Sequence, residues 1–218
     1  MRVLICSDKF KGSLTASEVC DAIEEGILKK YPDAEIRKLP LADGGEGTAD
    51  ILTEYFHGRK IKVKVHGPLF EPIEAEYGLA ADIAFVEMAK ASGLQLIPKE
   101  KRDPLATTTL GTGELIQHAI QNGATKIVLG IGGSATNDAG IGMASALGYR
   151  FFSGEKLLEP VGKNLIHIDR IESPTAKIDV TALCDVTNPF FGENGAAYIY
   201  GPQKGATPPK PFSFSIKA

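Results

Sequence analysis

The chain has 218 residues, of which 43% are apolar and 23% charged, a composition typical of a globular protein and unlike that of a disordered chain. Its 24 basic and 27 acidic residues give a formal net charge of −3, so no general attraction to nucleic acid or to an anionic membrane is expected. No apolar run approaches the ~18 residues of a membrane-spanning helix, and residues 1–6 are too short for a signal peptide. We therefore predict a cytoplasmic protein.

Cysteine and glycine usage narrows the search for function. Cys6, Cys20 and Cys184 form no CxxC pair, which favours free, buried thiols in a reducing compartment. The 24 glycines cluster in short segments that also contain Asp, Ser, Thr and Asn. We therefore expect the functional residues to lie in these segments.

The first forty residues have the pattern of a βαβ unit. Residues 2–6 form an apolar run that predicts a buried strand. Thr15 and Glu18 have the spacing of a capping box, and apolar residues recur at helical spacing up to about Lys30. Residues 35–39 predict a second strand, so the pattern indicates a parallel α/β sheet.

The middle of the chain is richer in strands. A helix predicted at 49–56 is followed by strict alternation of apolar and polar residues at 61–65 and 73–77, which is typical of half-buried antiparallel strands. Another strand is predicted at 83–88. We interpret residues 61–107 as part of a smaller, β-rich α/β domain that interrupts the main sheet.

The second half of the chain returns to the parallel α/β pattern. The predicted elements are helices at 113–121 and 139–147 and strands at 126–131, 178–186 and 196–200. The predicted fold class is therefore α/β, with a parallel-sheet, Rossmann- or flavodoxin-like main domain formed by residues 1–60 and 108–206. Residues 207–218 contain three prolines and predict an irregular tail.

The densest glycine and hydroxyl loop follows the predicted strand at 126–131. Its glycines let backbone N–H groups turn inwards, its hydroxyls add donors, and the start of the next helix carries partial positive charge; these features suit phosphate or carboxylate. Alternatively, the loop is a tight turn in which Thr136, Asn137 or Asp138 caps the helix. The residues predicted to bind phosphate or nucleotide are Gly132, Gly133, Ser134, Thr136 and Asn137.

Carboxylates and ammonium groups follow three other predicted strands. Asp43 and Glu46 could hold Mg²⁺ or accept the proton of a substrate hydroxyl, or they could simply complement the dipole of the next helix. Asp185 could likewise hold Mg²⁺ or interact with a substrate hydroxyl. Lys11 could contact a phosphate or carboxylate as a point charge, although a surface lysine is often only solvated. The hydroxyl-rich run 107–114 is interpreted as a helix N-cap, and all four histidines as structural or surface residues.

Six segments together resemble those of the bacterial type I glycerate kinase family. They are residues 8–16, 41–48, 108–116, 130–138, 184–189 and 201–206, and the resemblance extends from Met1 to about Thr207. It implies two α/β domains with a discontinuous chain path. It also implies phosphorylation of D-glycerate to a phosphoglycerate with ATP and Mg²⁺.

The resemblance supports these loops as parts of the functional site, and we assign roles to individual residues within them. Asp43, Lys11 and Asp185 are predicted to be catalytic, with Asp43 accepting the proton of the substrate hydroxyl. The predicted metal ligands are Asp138 and Asp185. Phosphoryl transfer depends mainly on positioning and charge neutralisation, so no covalent nucleophile is needed. The residues predicted to bind glycerate, besides Lys11 and Asp43, are Ser13, Gly44, Gly45 and Glu46.

Members of the family continue beyond the matched region with a further glycine-rich segment, which has no counterpart in this sequence. We therefore expect a C-terminally truncated member. The alternative hypothesis is a catalytically inactive fragment that retains at most weak nucleotide or acid binding. A dinucleotide-dependent oxidoreductase fits less well, because the first βα turn lacks GxGxxG. A homo-oligomer is compatible with the sequence.

Overall fold

The structure is a computed structural model that describes residues 1–175 and 177–206; the tail predicted at 207–218 lies outside the described residues. The strands are β1 (Arg2–Ile5), β2 (Glu35–Lys38), β3 (Arg59–His66), β4 (Pro72–Ala80), β5 (Ile83–Glu87), β6 (Lys126–Gly130), β7 (Arg150–Ser153), β8 (Lys156–Leu157), β9 (Arg170–Glu172) and β10 (Asp179–Leu183). The α-helices are α1 (Ala16–Lys30), α2 (Thr48–Tyr55), α3 (Met88–Ser92), α4 (Leu110–Gln121), α5 (Ile141–Ala146) and α6 (Ala196–Tyr200). Short 3-10 helices lie at Leu94–Leu96, Lys99–Lys101, Gly162–His167 and Pro202–Lys204.

A five-stranded mixed sheet carries the main core. Its order is β10-β6-β5-β4-β3; β10, β6 and β5 run parallel, and β4 and β3 are antiparallel. The α/β class and the antiparallel pair at 61–65 and 73–77 are therefore confirmed. The hairpin does not interrupt the sheet, however, because β4 pairs with β5 and so extends it. The finer division into a Rossmann- or flavodoxin-like main domain and an inserted domain stays a prediction.

The core lies between α4 and one face of this sheet. Leu115 and Ile116 of α4 are fully buried and belong to one apolar cluster with Tyr77, Val86 and Ile127 of the strands. The approach of α4 to β3 is close, since a Cβ atom at Gly111 would lie 1.8 Å from the carbonyl oxygen of His66. On the other face, α2 packs against β4 and β5. The sheet is thus covered by helices on both sides, as expected for an α/β protein.

The N-terminal strands form a separate pair. Thr15 and Glu18 form the predicted capping box at the start of α1, and β1 and β2 are parallel as predicted. The prediction of a buried first strand is wrong: Ile5 is buried, but Leu4 is 59% exposed. The physical reason is that β1 and β2 form a sheet of only two strands among the described residues, so much of its surface has no cover.

Two other sequence predictions are corrected. Residues 196–200 form α6 and not a strand, because Ala196 N–H donates to the carbonyl of Pro189 and the loop folds back beside the helix. Of the three free cysteines, only Cys20 is buried; Cys6 and Cys184 directly follow β1 and the edge strand β10 and are exposed. The three-stranded antiparallel sheet β8-β7-β9 was not predicted. None of the helices in the described part of the chain is long and apolar enough to cross a membrane.

Two isoleucines on α4 provide a test of the core. Ile116 is 0% exposed and Ile120 is 36% exposed. We expect Ile116→Ala to lower the free energy of unfolding by about 2–5 kcal/mol, because the substitution leaves a cavity against the sheet. Ile120→Ala, on the same helix, is the matched control and should lower it by less than about 1 kcal/mol. Urea unfolding followed by circular dichroism measures both; equal losses would contradict this position of the core.

Candidate active site

The loop of residues 43–48 crosses the carboxyl ends of three strands of the sheet. A Cβ atom at Gly44 would lie 2.6 Å from the carbonyl oxygen of Leu183, at the end of β10. One at Gly130, at the end of β6, would lie 2.6 Å from the carbonyl oxygen of Gly44. Glu87, at the end of β5, accepts a hydrogen bond from Gly47 N–H at 3.0 Å. Ligands bind at this edge of open α/β sheets, so the loop lies where a site is expected.

The same loop contacts the loop of residues 132–138. Gly132 N–H donates to the carbonyl of Gly44 at 3.1 Å, and a Cβ atom at Gly132 would lie 2.7 Å from the Cα atom of Gly45. Gly44 also has φ +90°, a conformation that favours glycine. The backbones therefore touch where any side chain would prevent contact. The structure brings the predicted substrate loop and the predicted phosphate loop together.

Asp43 is held by the loop of residues 8–13 and by its own loop. Its Oδ1 accepts hydrogen bonds from Gly45 N–H at 2.8 Å and from the ammonium group of Lys9 at 3.2 Å. These donors lower the pKa of Asp43 below its usual value despite its partial burial. Burial alone would lower the pKa of Lys9, but Asp43 and Asp8 raise it. Both groups are therefore charged at neutral pH.

A cleft of about 530 Å³ lies between the segment of residues 8–18 and the start of α2. It contains three of the predicted site residues, namely Lys11, Ser13 and Glu46. Lys9 also lines this cleft and has a side chain that is only 18% exposed. Lys11 is the lysine predicted from the sequence for this site, but the lysine that pairs with Asp43 is Lys9.

Ion pairs form the wall of the cleft at α2. Asp50 pairs with Lys60 at 2.5 Å and with Lys90 at 3.1 Å, and Lys90 also contacts Glu76 at 3.3 Å. Burial alone would raise the pKa of Asp50, but the two lysines lower it. The lysines of this wall therefore carry carboxylate partners, in contrast to Lys11, which is exposed. No local sequence pattern indicates this cluster, because its members come from four separate elements.

Glu87 is a buried carboxylate that sequence analysis missed. It is 0% exposed, and its Oε2 accepts hydrogen bonds from the N–H groups of Gly47 and Ala49. Its Oε1 has no hydrogen-bond partner among the described residues. Burial raises the pKa of Glu87, and the nearby charge of Lys90 offsets part of this effect. Glu87 thus ties the loop of residues 43–48 to β5.

Asp138 organises the 132–138 loop from the inside. Its Oδ2 accepts hydrogen bonds from the N–H and hydroxyl groups of Thr109 and from Gly142 N–H, and its Oδ1 accepts one from Gly140 N–H. The residue is 2% exposed. Both oxygens are therefore engaged by the chain itself, and the structure gives no support to Asp138 as a metal ligand. The N-cap residue of α5 is Gly140, and Asp138 contacts the first turn of this helix from two residues earlier, through its hydrogen bond from Gly142 N–H.

The hydroxyl-rich run before α4 is part of this buried network. Thr107, Thr108 and Thr109 are at most 1% exposed. Thr108 donates to the carbonyl of Pro160, and Thr109 Oγ1 accepts from Met143 N–H at 2.8 Å. Thr109 is the N-cap residue of α4, but its side chain makes no capping hydrogen bond to this helix. Thr108 Oγ1 instead accepts a hydrogen bond from Leu110 N–H. The run therefore accepts a hydrogen bond from the start of α4 and also joins α4 to α5 and to the 132–138 loop.

Some backbone N–H groups of the 132–138 loop are already engaged by neighbouring segments of the chain. Ala135 N–H donates to the carbonyl of Ser92, and Asn137 N–H donates to that of Pro104. The side-chain Nδ2 of Asn137 is buried and has no hydrogen-bond partner in the described residues. Helix α5 begins at Ile141, two residues later than predicted. The loop therefore offers fewer backbone donors than the sequence suggested.

Lys204 reaches this loop from a distant part of the chain. Its ammonium group donates to Ser134 Oγ at 2.8 Å and to the carbonyl of Thr136 at 2.7 Å. Burial lowers its pKa to about 8, and the negative charge of Asp138 offsets part of this effect. The segment 201–206 was singled out in the sequence, but no role was predicted for this lysine.

Asp185 lies two residues beyond β10, next to the strand end that Gly44 contacts, and is exposed. Within residues 1–175 and 177–206, no group of three or more His, Cys, Asp and Glu side chains is arranged to hold a metal ion. Mg²⁺ commonly uses one or two carboxylates together with phosphate and water. Asp185 fits that pattern better than Asp138, and its metal role stays a prediction.

Asp138 and Asp185 allow a matched test of the buried network. We expect Asp138→Asn to lower the free energy of unfolding by ~3 kcal/mol, because several buried donors lose an acceptor. Asp185→Asn should change it by less than about 0.5 kcal/mol, since the side chain is exposed. Thermal and urea unfolding of both variants provide the measurement. A stable Asp138→Asn protein would show that the network is not needed for folding.

Glu87 predicts a pH dependence of stability. Its pKa in the unfolded chain is near 4.5 and is higher in the folded protein. Between these values the folded protein holds a proton that the unfolded chain has lost, so the free energy of unfolding falls as the pH rises. Glu87→Gln removes this titration. We expect the stability of Glu87→Gln relative to wild type to rise above about pH 4 and to level off above the folded pKa.

The measurement is the melting temperature of both proteins between about pH 4 and pH 8, a range that includes the unfolded-state pKa. Glu155→Gln, in an exposed turn, controls for the loss of one carboxylate. A difference between Glu87→Gln and wild type that does not change with pH would show that burial does not raise the pKa of Glu87.

Comparisons with known proteins identify the family of this chain. The profile of the glycerate kinase family matches residues 3–211. The glycerate kinase of Bacillus cereus is 51% identical over 94% of this chain and 56% of its own length, and the glycerate 2-kinase of Escherichia coli is 47% identical over 95% and 56%. A crystal structure from Salmonella typhimurium LT2, of a protein assigned as glycerate kinase 2, matches 95% of this chain and 58% of its own with a TM-score of 0.83 at 47% identity. The chain therefore spans little more than half the length of these relatives, and it belongs to the glycerate kinase family.

Proposed function

We propose that this chain forms the glycerate and ATP sites of a cytoplasmic kinase that converts D-glycerate to a phosphoglycerate. The observation that carries the proposal is the position of the loop of residues 43–48. It pairs with the 8–13 loop through Asp43 and Lys9, and with the 132–138 loop through Gly44 and Gly132. Three family segments that are far apart in sequence thus meet at one edge of the sheet.

The substrate side of the proposed site is the cleft. A glycerate carboxylate suits the ammonium group of Lys11, and its hydroxyls suit Ser13 and the carboxylate of Glu46, all of which line the cleft. Asp43 is not in the lining itself but is paired with Lys9, which is. The lowered pKa of Asp43 makes it a weak base but keeps it charged at neutral pH. A loose phosphoryl-transfer transition state needs little proton removal in advance. Asp43 would therefore orient the hydroxyl and accept its proton late.

The phosphate side of the proposed site is the 132–137 loop. Its remaining donors would contact the nucleotide, and Mg²⁺ would neutralise the charge of the phosphate groups. Asp185 is the carboxylate that we propose as the ligand of this ion. The Escherichia coli relative is called a glycerate 2-kinase, so we propose 2-phosphoglycerate as the product to test first.

Coupled measurement of ADP production with D-glycerate, ATP and Mg²⁺ tests the proposal, and mass spectrometry with NMR identifies the phosphorylated hydroxyl. We expect turnover that depends on D-glycerate. Asp43→Asn should lower kcat by a factor on the order of 100, the usual contribution of one acid–base group. Asp33→Asn, in an exposed turn before β2, is the control and should retain wild-type turnover.

The full-length Bacillus cereus relative is the positive control for the assay. Turnover by that relative but not by a folded 218-residue chain would support the alternative hypothesis, an inactive fragment with weak ligand binding. That alternative rests on the observation that the chain spans 56% of this relative. Wild-type turnover by Asp43→Asn would instead exclude Asp43 as the proton acceptor.

A further inference from the structure

We propose that Lys204 is the residue that neutralises nucleotide phosphate at the 132–137 loop. The inference rests on the proposed function and deepens it, because the family segment 201–206 had no assigned role. It is carried by the position of the ammonium group, by the chemistry of its neighbours and by an unpartnered donor in the same loop.

The position of Lys204 is fixed by close backbone packing. The next residue, Gly205, has φ +96°, and a Cβ atom there would lie 2.1 Å from the carbonyl oxygen of Arg102. Lys204 N–H donates to the carbonyl of Gly201, and Ala206 N–H donates to the same carbonyl. Glycine at 205 therefore lets the turn pack against Arg102 and directs the lysine to the 132–137 loop.

The neighbours of the ammonium group are neutral. The two acceptors, Ser134 Oγ and the carbonyl of Thr136, leave one of its three N–H donors for another partner. Among the described residues, no carboxylate oxygen lies within 4.0 Å of the Lys204 ammonium nitrogen, the distance that defines a salt bridge. Asp138 is the one residue whose charge affects the lysine from nearby, and its oxygens are already engaged. A cation that is largely buried without an ion pair is unfavourable, and a bound anion removes the penalty.

A second unpartnered donor lies in the same loop. The Nδ2 of Asn137 is buried and has no hydrogen-bond partner in the described part of the chain. A phosphate group has three acceptor oxygens, so it can satisfy an amide and an ammonium donor together. A purely structural role, in which Lys204 only holds the segment 201–206 on the loop, would explain its two hydrogen bonds. It would not explain why the Nδ2 of Asn137 has no partner in the described residues. The donors of both residues therefore suit the oxygens of a phosphate group, which the proposed nucleotide supplies.

Titration calorimetry with ATP and Mg²⁺ on the 218-residue chain tests the inference. Lys204→Met should weaken ATP binding about tenfold or more, as expected for a lost charged hydrogen bond. Lys204→Arg keeps the charge and should restore part of the affinity. Adenosine, which has no phosphate, should bind Lys204→Met and wild type equally. Lys156→Met, on the exposed strand β8, is the matched control.

The pH dependence of ATP affinity distinguishes a role of the Lys204 charge from a purely structural role. The affinity of wild type for ATP should fall as the pH rises through about 8, where Lys204 loses its proton. The phosphate charge is constant there, since the second pKa of a phosphate is about 6. Lys204→Met should lack this decline, whereas Ser134→Ala, which removes one neutral partner, should keep it. If Lys204→Met does not fold, the pH profile of ATP affinity in wild type and the affinity of Lys204→Arg still test the role of Lys204.

The outcomes distinguish this inference from the proposed function. ATP affinity that is the same in Lys204→Met and wild type, with D-glycerate turnover intact, overturns the role of Lys204 alone. Lys204-dependent ATP binding without turnover supports the inference and contradicts kinase activity of this chain. Absence of ATP binding by folded wild type overturns both.

Discussion

The close contact of glycine backbones at the strand ends determines the shape of the proposed site. Gly44 lies against the carbonyl of Leu183 on one side and against Gly130 on the other, with no room for a side chain at either glycine. This contact requires neighbouring parallel strands that end at the same level, and β6 and β10 provide it. The loop of residues 43–48 is thereby fixed on the sheet, and the position of Asp43 relative to the phosphate loop depends on it.

Local patterns in the sequence predicted the elements well where the residues pack in the usual way. The capping box of α1, the alternating strands β3 and β4 and the parallel strand β6 have strong periodicity, and the structure confirms them. Residues 196–200 were misleading because Tyr and Ile favour strands, whereas here a helix begins after Gly195 and its first N–H, at Ala196, donates to the carbonyl of Pro189. Element bounds moved by up to three residues, as at α4.

The site was predicted as a set of loops but not as a set of side-chain roles. Glycine and hydroxyl density marked the segments, since close backbone approach demands those residues. The partner of a carboxylate is decided by tertiary contact, which no local pattern encodes. Asp138 is therefore engaged with Thr109, and Asp43 pairs with Lys9 and not with Lys11. Glu87 is a single acidic residue at the end of an apolar strand and has no sequence signal at all.

The two-stranded sheet of β1 and β2 has a consequence for the cleft. One wall of the cleft follows β1 and leads into α1, whereas the other wall stands on the five-stranded sheet through α2. The first wall has little core beneath it, because Leu4 is exposed and few residues of α1 are buried. Segments with little buried apolar surface open at lower free energy than the core. Hydrogen exchange should therefore be faster in the first wall, and a ligand that contacts both walls gains affinity only after it has ordered the weaker one.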